Sequence, residues 1–249
     1  MKILGIIPAR FASSRFPGKP LADIGGKSMI QRVYEQALKA KTLSKVVVAT
    51  DDARILSHVL SFGGDAVMTE ESHPSGTDRC FEAFQKSGGS SKYDYVVNIQ
   101  GDEPFIDPAI IDHLTVLLDF KTEIATAVKK IKDYETLFNP NVVKAVLTMR
   151  KQCLYFSRQT VPYVRGFEEK TWLDHADFHK HIGIYAYRSD VLEQISHLPI
   201  SPLENTEKLE QLRWLGYGYK IYAIVTEYES IGIDTEEDLK NISLPSTGE

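Results

Sequence analysis

Cysteine is nearly absent: Cys80 and Cys153 are the only two in 249 residues. They stand far apart and in no zinc-type spacing, so neither a disulfide framework nor a structural zinc site is supported. Two lone thiols fit a reducing cytosol, and a cytoplasmic protein is the expectation. No apolar run approaches the roughly 18 residues of a membrane span, so no membrane insertion is expected. The apolar start, Ile3-Leu4-Gly5-Ile6-Ile7, is short and runs straight into a strand-and-turn pattern, which argues against a signal peptide. Excess positive charge is missing as well. Lys plus Arg number 29 against 34 Asp plus Glu, a formal charge of −5, which argues against a general nucleic-acid binder with a basic face. There is no internal repeat and no low-complexity linker. Two familiar phosphate-binding fingerprints are also absent. Lys19 is followed by Pro20 rather than Ser or Thr, and no G-x-G-x-x-G follows the first strand.

What the chain does have is alternation. Apolar runs at Ile3–Ile7, Val46–Ala49, Ala66–Met68 and Tyr95–Ile99 read as strands. Between them lie helical periods: 28–40, with Ile30, Val33, Tyr34, Ala37 and Leu38 on one face; 53–62, ended by Gly63-Gly64; and 77–86. Asp107 and Pro108 start another helix as N-cap and first turn. Repeated strand–helix–strand units predict an α/β protein whose mostly parallel sheet is covered on both faces. The second half is less regular. Strands are predicted over 142–148, 153–157, 181–187 and 220–225, a helix over 205–215, and a long loop or lid over 162–177. One domain spanning 1–249, with a β-rich extension at roughly 135–190, is the preferred organisation.

Four segments carry chemistry. The first strand breaks into Pro8-Ala9-Arg10-Phe11-Ala12-Ser13-Ser14-Arg15-Phe16-Pro17-Gly18-Lys19-Pro20, which holds three cations and no acid before Asp23. A cationic loop at the carboxyl end of a parallel strand suits a polyanion: backbone N–H groups are fixed donors, and Arg10, Arg15 and Lys19 supply charge for a triphosphate. The plain alternative is a solvated loop. Next, Gln100-Gly101-Asp102-Glu103-Pro104 follows a buried strand. Gly101 permits a sharp bend, and Asp102 is then presented at the sheet edge. A carboxylate beside a triphosphate needs a cation between them, which makes magnesium the natural partner; Asp102 can instead cap a turn. In Gly232-Ile233-Asp234-Thr235-Glu236-Glu237-Asp238-Leu239, Asp234 or Thr235 caps a short helix with acids in its first turn. Asp234 gains a metal role only where the fold sets it against Asp102. In His73–Arg79, Ser75-Gly76 is a turn before a helix capped by Ser75 or Thr77. The turn can present backbone groups to a flat base, and Arg79 can reach a carbonyl oxygen or simply be exposed.

In this order the segments resemble the nucleotidyltransferase family that makes CMP-3-deoxy-D-manno-octulosonate, the CMP-Kdo synthetases. Further stretches similar to that family are Ala49-Thr50-Asp51, Phe138 to Lys144, Leu154 to Arg158, His181 to Tyr185 and Leu209 to Arg213, so the likeness spans nearly the whole chain. The resemblance implies a Rossmann-like nucleotidyltransferase fold and a cytoplasmic, magnesium-dependent homodimer serving lipopolysaccharide biosynthesis. It implies attack by the anomeric hydroxyl of Kdo on the α-phosphorus of CTP, releasing pyrophosphate. Arg10, Ser13 and Lys19 would hold the triphosphate. Pro8, Ala9, Ser75, Gly76 and Arg79 would frame the cytosine, and Asp102 and Asp234 would bind Mg2+. Gln100, Arg158, His181, Tyr185, Glu210 and Gln211 would line the sugar-acid site, with Arg158 suited to the substrate carboxylate. A second magnesium near the attacking hydroxyl would remove the need for a protein base, of which the sequence offers no obvious example.

Plainer readings exist for several of these. Tyr185 on an alternating strand suits a core, and Glu210 and Gln211 suit the solvated face of a helix. Tyr155, Phe156, Val161 and Tyr163 suit either a dimer contact or a packed strand. Competing functions are a cytidylyltransferase for 8-amino-Kdo or another acid sugar, a sugar-1-phosphate uridylyl- or thymidylyltransferase, and a non-catalytic nucleotide-binding protein. The first loop is poorer in glycine than sialic-acid or sugar-1-phosphate relatives suggest, and Lys19 retained with Asp102 and Asp234 argues against a decayed site.

Overall fold

The computed structural model describes residues 1–12, 16–229 and 232–241. They cluster into two compact units, one drawn from Met1–Asp112 and Ser230–Glu249, the other from His113–Glu229.

The first unit is built on a parallel sheet. Strands β1 (Ile3–Ala9), β2 (Lys45–Thr50), β3 (Ala66–Met68) and β4 (Tyr95–Asn98) lie in the order β3-β2-β1-β4, every pairing parallel. Helices α1 (Met29–Ala37), α2 (Ala53–Ser61) and α3 (Gly76–Lys86) make the crossovers, and α4 (Pro108–Thr115) follows β4. Local sequence explains their ends. Ser28 accepts from the Gln31 N–H, Asp52 from Arg54 and Ser75 from Asp78, each closing one of the free donors of a first helical turn. Asp107 does the same for Ala109 ahead of Pro108. Burial then fixes the faces: α1 turns Met29, Ile30, Val33, Tyr34 and Ala37 inward, each large apolar side chain contributing about 1.5–3 kcal/mol. The chain runs from β1 outward through β2 and β3 and returns to β4 on the other side of β1. The carboxyl ends of β1 and β4 therefore form the switch point at which open α/β sheets take up ligands.

In the second unit the central strand is β5 (Ile124–Lys130), antiparallel to one neighbour and parallel to the other. Around it, in chain order, are α5 (Tyr134–Phe138), β6 (Lys144–Leu147), β7 (Cys153–Ser157), α6 (Trp172–His175), β8 (His179–Arg188), α7 (Ser189–Ser196), α8 (Pro202–Glu207), α9 (Gln211–Gly216) and β9 (Ile221–Val225). β5 pairs with β8 and β9, and β6 pairs with β7 and β8.

One strand is added here and two expectations are refined. β5 was not expected as a strand, because Ala125, Thr126 and Ala127 give it little bulk; its burial comes from neighbours on both sides. The helix expected over 205–215 is two helices, since Lys208 takes a left-handed backbone (φ 54°) and ends α8. The expected long loop or lid over 162–177 carries the short helix α6, whose Trp172, 3 % exposed, clusters with Ile131, Leu137 and Phe178.

Candidate active site

A cleft of about 270 Å³ opens in the first unit at the carboxyl ends of β1 and β4. It is lined by Pro8, Ala9, Arg10, Lys19, Pro20, His73, Pro74, Ser75, Gly76, Arg79, Gln100, Gly101, Asp102 and Asp234. Ten of these were singled out from the sequence as site residues. Ser13 and Arg15, expected on the triphosphate, lie outside the described residues.

The loop after β1 is pinned at its neck. Gly18 N–H donates to the Phe11 carbonyl at 3.0 Å. Gly18 has φ 74°, and a Cβ there would stand 3.1 Å from the Phe11 ring. The Arg54 guanidinium lies over that ring, 3.4 Å from its centroid. Lys19 and Pro20 follow in a short 3-10 turn that directs Lys19 into the cleft.

Lys19 Nζ lies 2.8 Å from Asp102 Oδ2 and 3.4 Å from Asp234 Oδ1. The fold thus brings Asp234 and Asp102, 132 positions apart in sequence, to the same ammonium. Two contacts bring them together. Ile233 N–H donates to the Asp102 carbonyl at 2.9 Å, and the Ile233 side chain, fully buried, packs with Phe16, Ile24 and Met29. The competing cap role of Asp234 is also resolved. Thr235 Oγ1 accepts from Asp238 N–H, while Asp238 Oδ2 accepts from the N–H groups of Asp234 and Thr235. Thr235 is the cap, so the Asp234 carboxylate is not spent on the helix Glu236–Asn241.

Gly101 has a different reason from the one expected. Its φ is not left-handed; instead a Cβ would meet the Pro8 carbonyl oxygen at 2.6 Å. Glycine is there so that the turn carrying Asp102 can lie against β1.

Ser75 caps α3 and also donates to Asp78 Oδ2 at 2.7 Å, leaving Gly76 facing Pro8. Arg79 is not exposed. It is 4 % accessible, with Nη1 on Thr69 Oγ1 and Nη2 on Asp51 Oδ2, both at 2.6 Å. Asp51 thus fixes an arginine of the cleft wall, a role the sequence signalled only through its place at the end of β2. His73 is held in the same indirect way, its Nε2 2.5 Å from Glu82. Burial of Glu82 would raise its pKa. Hydrogen bonds from Lys86, His73 and the Glu70 N–H outweigh this and bring it down to about 2.

The second unit holds the remaining predicted residues. At the Thr126–Ala127 link the β5–β8 register shifts: Thr126 faces Tyr185 while Ala127 faces Ile182. Such bulges re-aim side chains. Thr126 Oγ1 sits within 3.0 Å of His181 Nε2 and donates to the Ile184 carbonyl at 2.9 Å. The His181 ring packs on Phe156 and Tyr185, and burial pushes its pKa down to about 3, so it stays neutral. Tyr185 is 7 % exposed and also packs edge-on to Trp214. Gln211, 6 % exposed, is not on a solvated face; it opens α9, directly after Glu210. Arg158 is half-buried at the end of β7.

The donor set in the cleft suits a hard cation. Two carboxylate oxygens already converge on one positive charge, the ammonium of Lys19, and oxygen ligands are what magnesium takes. No third His, Cys, Asp or Glu joins them among the described residues, so the other ligand positions would fall to water and phosphate oxygens.

A parallel sheet with a cationic loop after β1 and two acids at its switch point is an arrangement that suits a nucleotidyltransferase. The fold alone is shared with a putative glucose-1-phosphate thymidylyltransferase from Bacillus anthracis, at TM-score 0.64 and 17 % identity over 98 % of each chain. The sequence profile of a family described as cytidylyltransferase matches residues 4–221. A 3-deoxy-manno-octulosonate cytidylyltransferase of Parabacteroides distasonis is 56 % identical over 245 residues, 96 % of both chains. That of Cytophaga hutchinsonii is 53 % identical over 248 residues, 99 % of this chain and 98 % of its own. A solved CMP:2-keto-3-deoxy-manno-octonic acid synthetase complexed with CTP superposes at TM-score 0.89, with 42 % identity and 96 % of each chain covered. The chain belongs to the cytidylyltransferase family, in its 3-deoxy-manno-octulosonate branch.

Proposed function

We propose that the protein transfers CMP from CTP to the anomeric hydroxyl of 3-deoxy-D-manno-octulosonate, releasing pyrophosphate. The observation that carries this reading is Lys19 lodged between Asp102 and Asp234 at the switch point of the sheet, in a chain more than half identical to named Kdo cytidylyltransferases.

Transfer to the α-phosphorus needs the leaving pyrophosphate neutralised and the nucleotide held in line. Arg10 and Lys19 supply charge for the triphosphate. Pro8, Ala9, Ser75, Gly76 and Arg79 form the wall for the base, and Asp51 holds the Arg79 guanidinium in one orientation. Asp102 and Asp234 would hold Mg2+, which when bound adds positive charge at the phosphates and lowers the pKa of a hydroxyl it binds. Gln100, Arg158, His181, Tyr185, Glu210 and Gln211 are assigned to the sugar acid, with Arg158 on its carboxylate. His181 is assigned a hydrogen-bonding role, since burial keeps its imidazole neutral and only weakly basic.

A homodimer fits the exposed apolar side chains of the second unit, Leu154 at 57 % and Tyr163 at 72 %; Phe156, fully buried, is core and does not contribute. No helix among the described residues is long and apolar enough to cross a membrane.

The test is pyrophosphate release from CTP and magnesium, with Kdo and 8-amino-Kdo as acceptors side by side. Release with Kdo, matched by CMP-Kdo, is expected. Release only with the amino sugar would move the assignment to that substrate. No release with either, despite CTP binding, would overturn it.

A further inference from the structure

Arg158 is gripped at its backbone by two opposite charges. Its N–H donates to Glu207 Oε2 at 3.0 Å, and its carbonyl accepts from Lys144 Nζ at 2.8 Å. Neither charge is on the surface for its own sake. Lys144 is fully buried, and its other two N–H groups go to the Asn139 and Val142 carbonyls at 2.8 and 2.7 Å. Glu207 Oε1 accepts from Ser157 Oγ at 2.7 Å, one residue before the arginine.

The side chain is gripped as well. Nε donates to the Glu207 carbonyl at 2.8 Å and Nη1 to the Pro140 carbonyl at 3.3 Å. Pro140 lies in the turn that Lys144 holds from both ends, at Asn139 and Val142. Two of the five guanidinium N–H groups are thereby committed. The other three, one on Nη1 and two on Nη2, have no partner among the described residues and are left as a fork for a carboxylate.

Burying an ammonium is costly, and neutral groups would suffice to satisfy two peptide atoms. Burial lowers the pKa of Lys144, partly offset by Glu207, so the site works against its own charge. What the arrangement achieves is a guanidinium with its backbone, its inner edge and its supporting turn all fixed. We infer that Glu207 and Lys144 are positioning residues that aim the Arg158 fork at the carboxylate of the acid sugar, and so set the affinity for that substrate. The inference rests on the sugar-acid role proposed above for Arg158.

The experiment is steady-state kinetics on the whole protein with CTP, magnesium and Kdo, for wild type, Glu207→Ala, Glu207→Gln, Arg158→Ala and the double variant E207A/R158A. Thermal melting and CTP binding serve as fold controls. A fork that holds the carboxylate equally in ground and transition states shows itself in KM rather than kcat. In E207A the KM for Kdo is expected to rise about tenfold or more, with the KM for CTP and kcat within about twofold. E207Q is isosteric and still offers an acceptor to the Arg158 N–H, so it should recover most of the loss. Because Glu207 acts through Arg158, the double variant should be no worse than R158A alone.

A folded E207A with unchanged KM for Kdo overturns the inference, as does a double variant whose losses multiply. If E207A fails its fold controls, Glu207→Asp carries the test with the same expected split. A wild-type enzyme that binds CTP but does not use Kdo overturns the functional reading first, and this inference with it.

Discussion

Gly101→Ala tests the geometry of the site with a single methyl group. A Cβ at position 101 would stand 2.6 Å from the Pro8 carbonyl oxygen, so the two must part by about 0.8 Å to reach the 3.4 Å at which such contacts become ordinary. Pro8 cannot give way easily. It lies on β1, in register with Ala49 of the parallel neighbour β2. The turn must therefore move, and it carries Asp102. Overpacking of this kind costs about 1–3 kcal/mol of stability. The chemical penalty is larger: displacing a positioned group by about 1 Å costs on the order of a hundredfold in rate. The expected result is a protein that melts a few degrees lower, still binds CTP, and has kcat/KM reduced about a hundredfold. Melting by circular dichroism and a coupled pyrophosphate assay read both numbers. Gly101→Ala with kcat/KM within about twofold of wild type would show that Asp102 need not lie against β1, and the close-approach argument would be wrong.

Lys19→Ala removes the cation shared by Asp102 and Asp234; the KM for CTP should rise about tenfold or more while that for Kdo stays within about twofold, and an unchanged CTP profile would count against the loop assignment. Acid should weaken the fold from near neutrality downward. The His181 pKa falls from its ordinary 6.5 to about 3 in the folded state, so the unfolded chain binds the extra proton first and stability drops as pH falls through that window. Glu82, lowered from 4.5 to about 2, adds a loss below pH 4.5; a melting temperature flat from pH 6.5 to 4.5 would refute the His181 part. Lys208→Gly relieves a left-handed lysine at φ 54° and should raise the melting temperature by about 1–4 °C, and a lower one would show that the lysine side chain matters more than its backbone.

Much of the first unit was legible because its signals are local. Short apolar runs, caps such as Ser28 and Asp107, and the cationic loop before Asp23 each declare themselves within a few residues. The second unit hid more. β5 is too poor in bulky residues to stand out, and the helix over 205–215 looks continuous until Lys208 turns left-handed. Asp51 on Arg79 and Glu207 on Arg158 carry no spacing signal, because hydrogen bonds between residues 28 and 49 apart leave no period in a sequence.

By itself the sequence determined the class of fold, the cationic loop that follows β1, and Asp102 as an acid at the sheet edge. Hydrophobic period and loop charge act over one or two turns of chain, so they survive in one dimension. Tertiary structure alone decided that Asp234 meets Asp102 over Lys19 and that Thr235 takes the cap. It also decided that a Cβ at Gly101 would collide with the Pro8 carbonyl, and that Lys144 and Glu207 both meet the backbone of Arg158. Each depends on which distant backbone lies alongside, and that is fixed by packing rather than by neighbours in the chain.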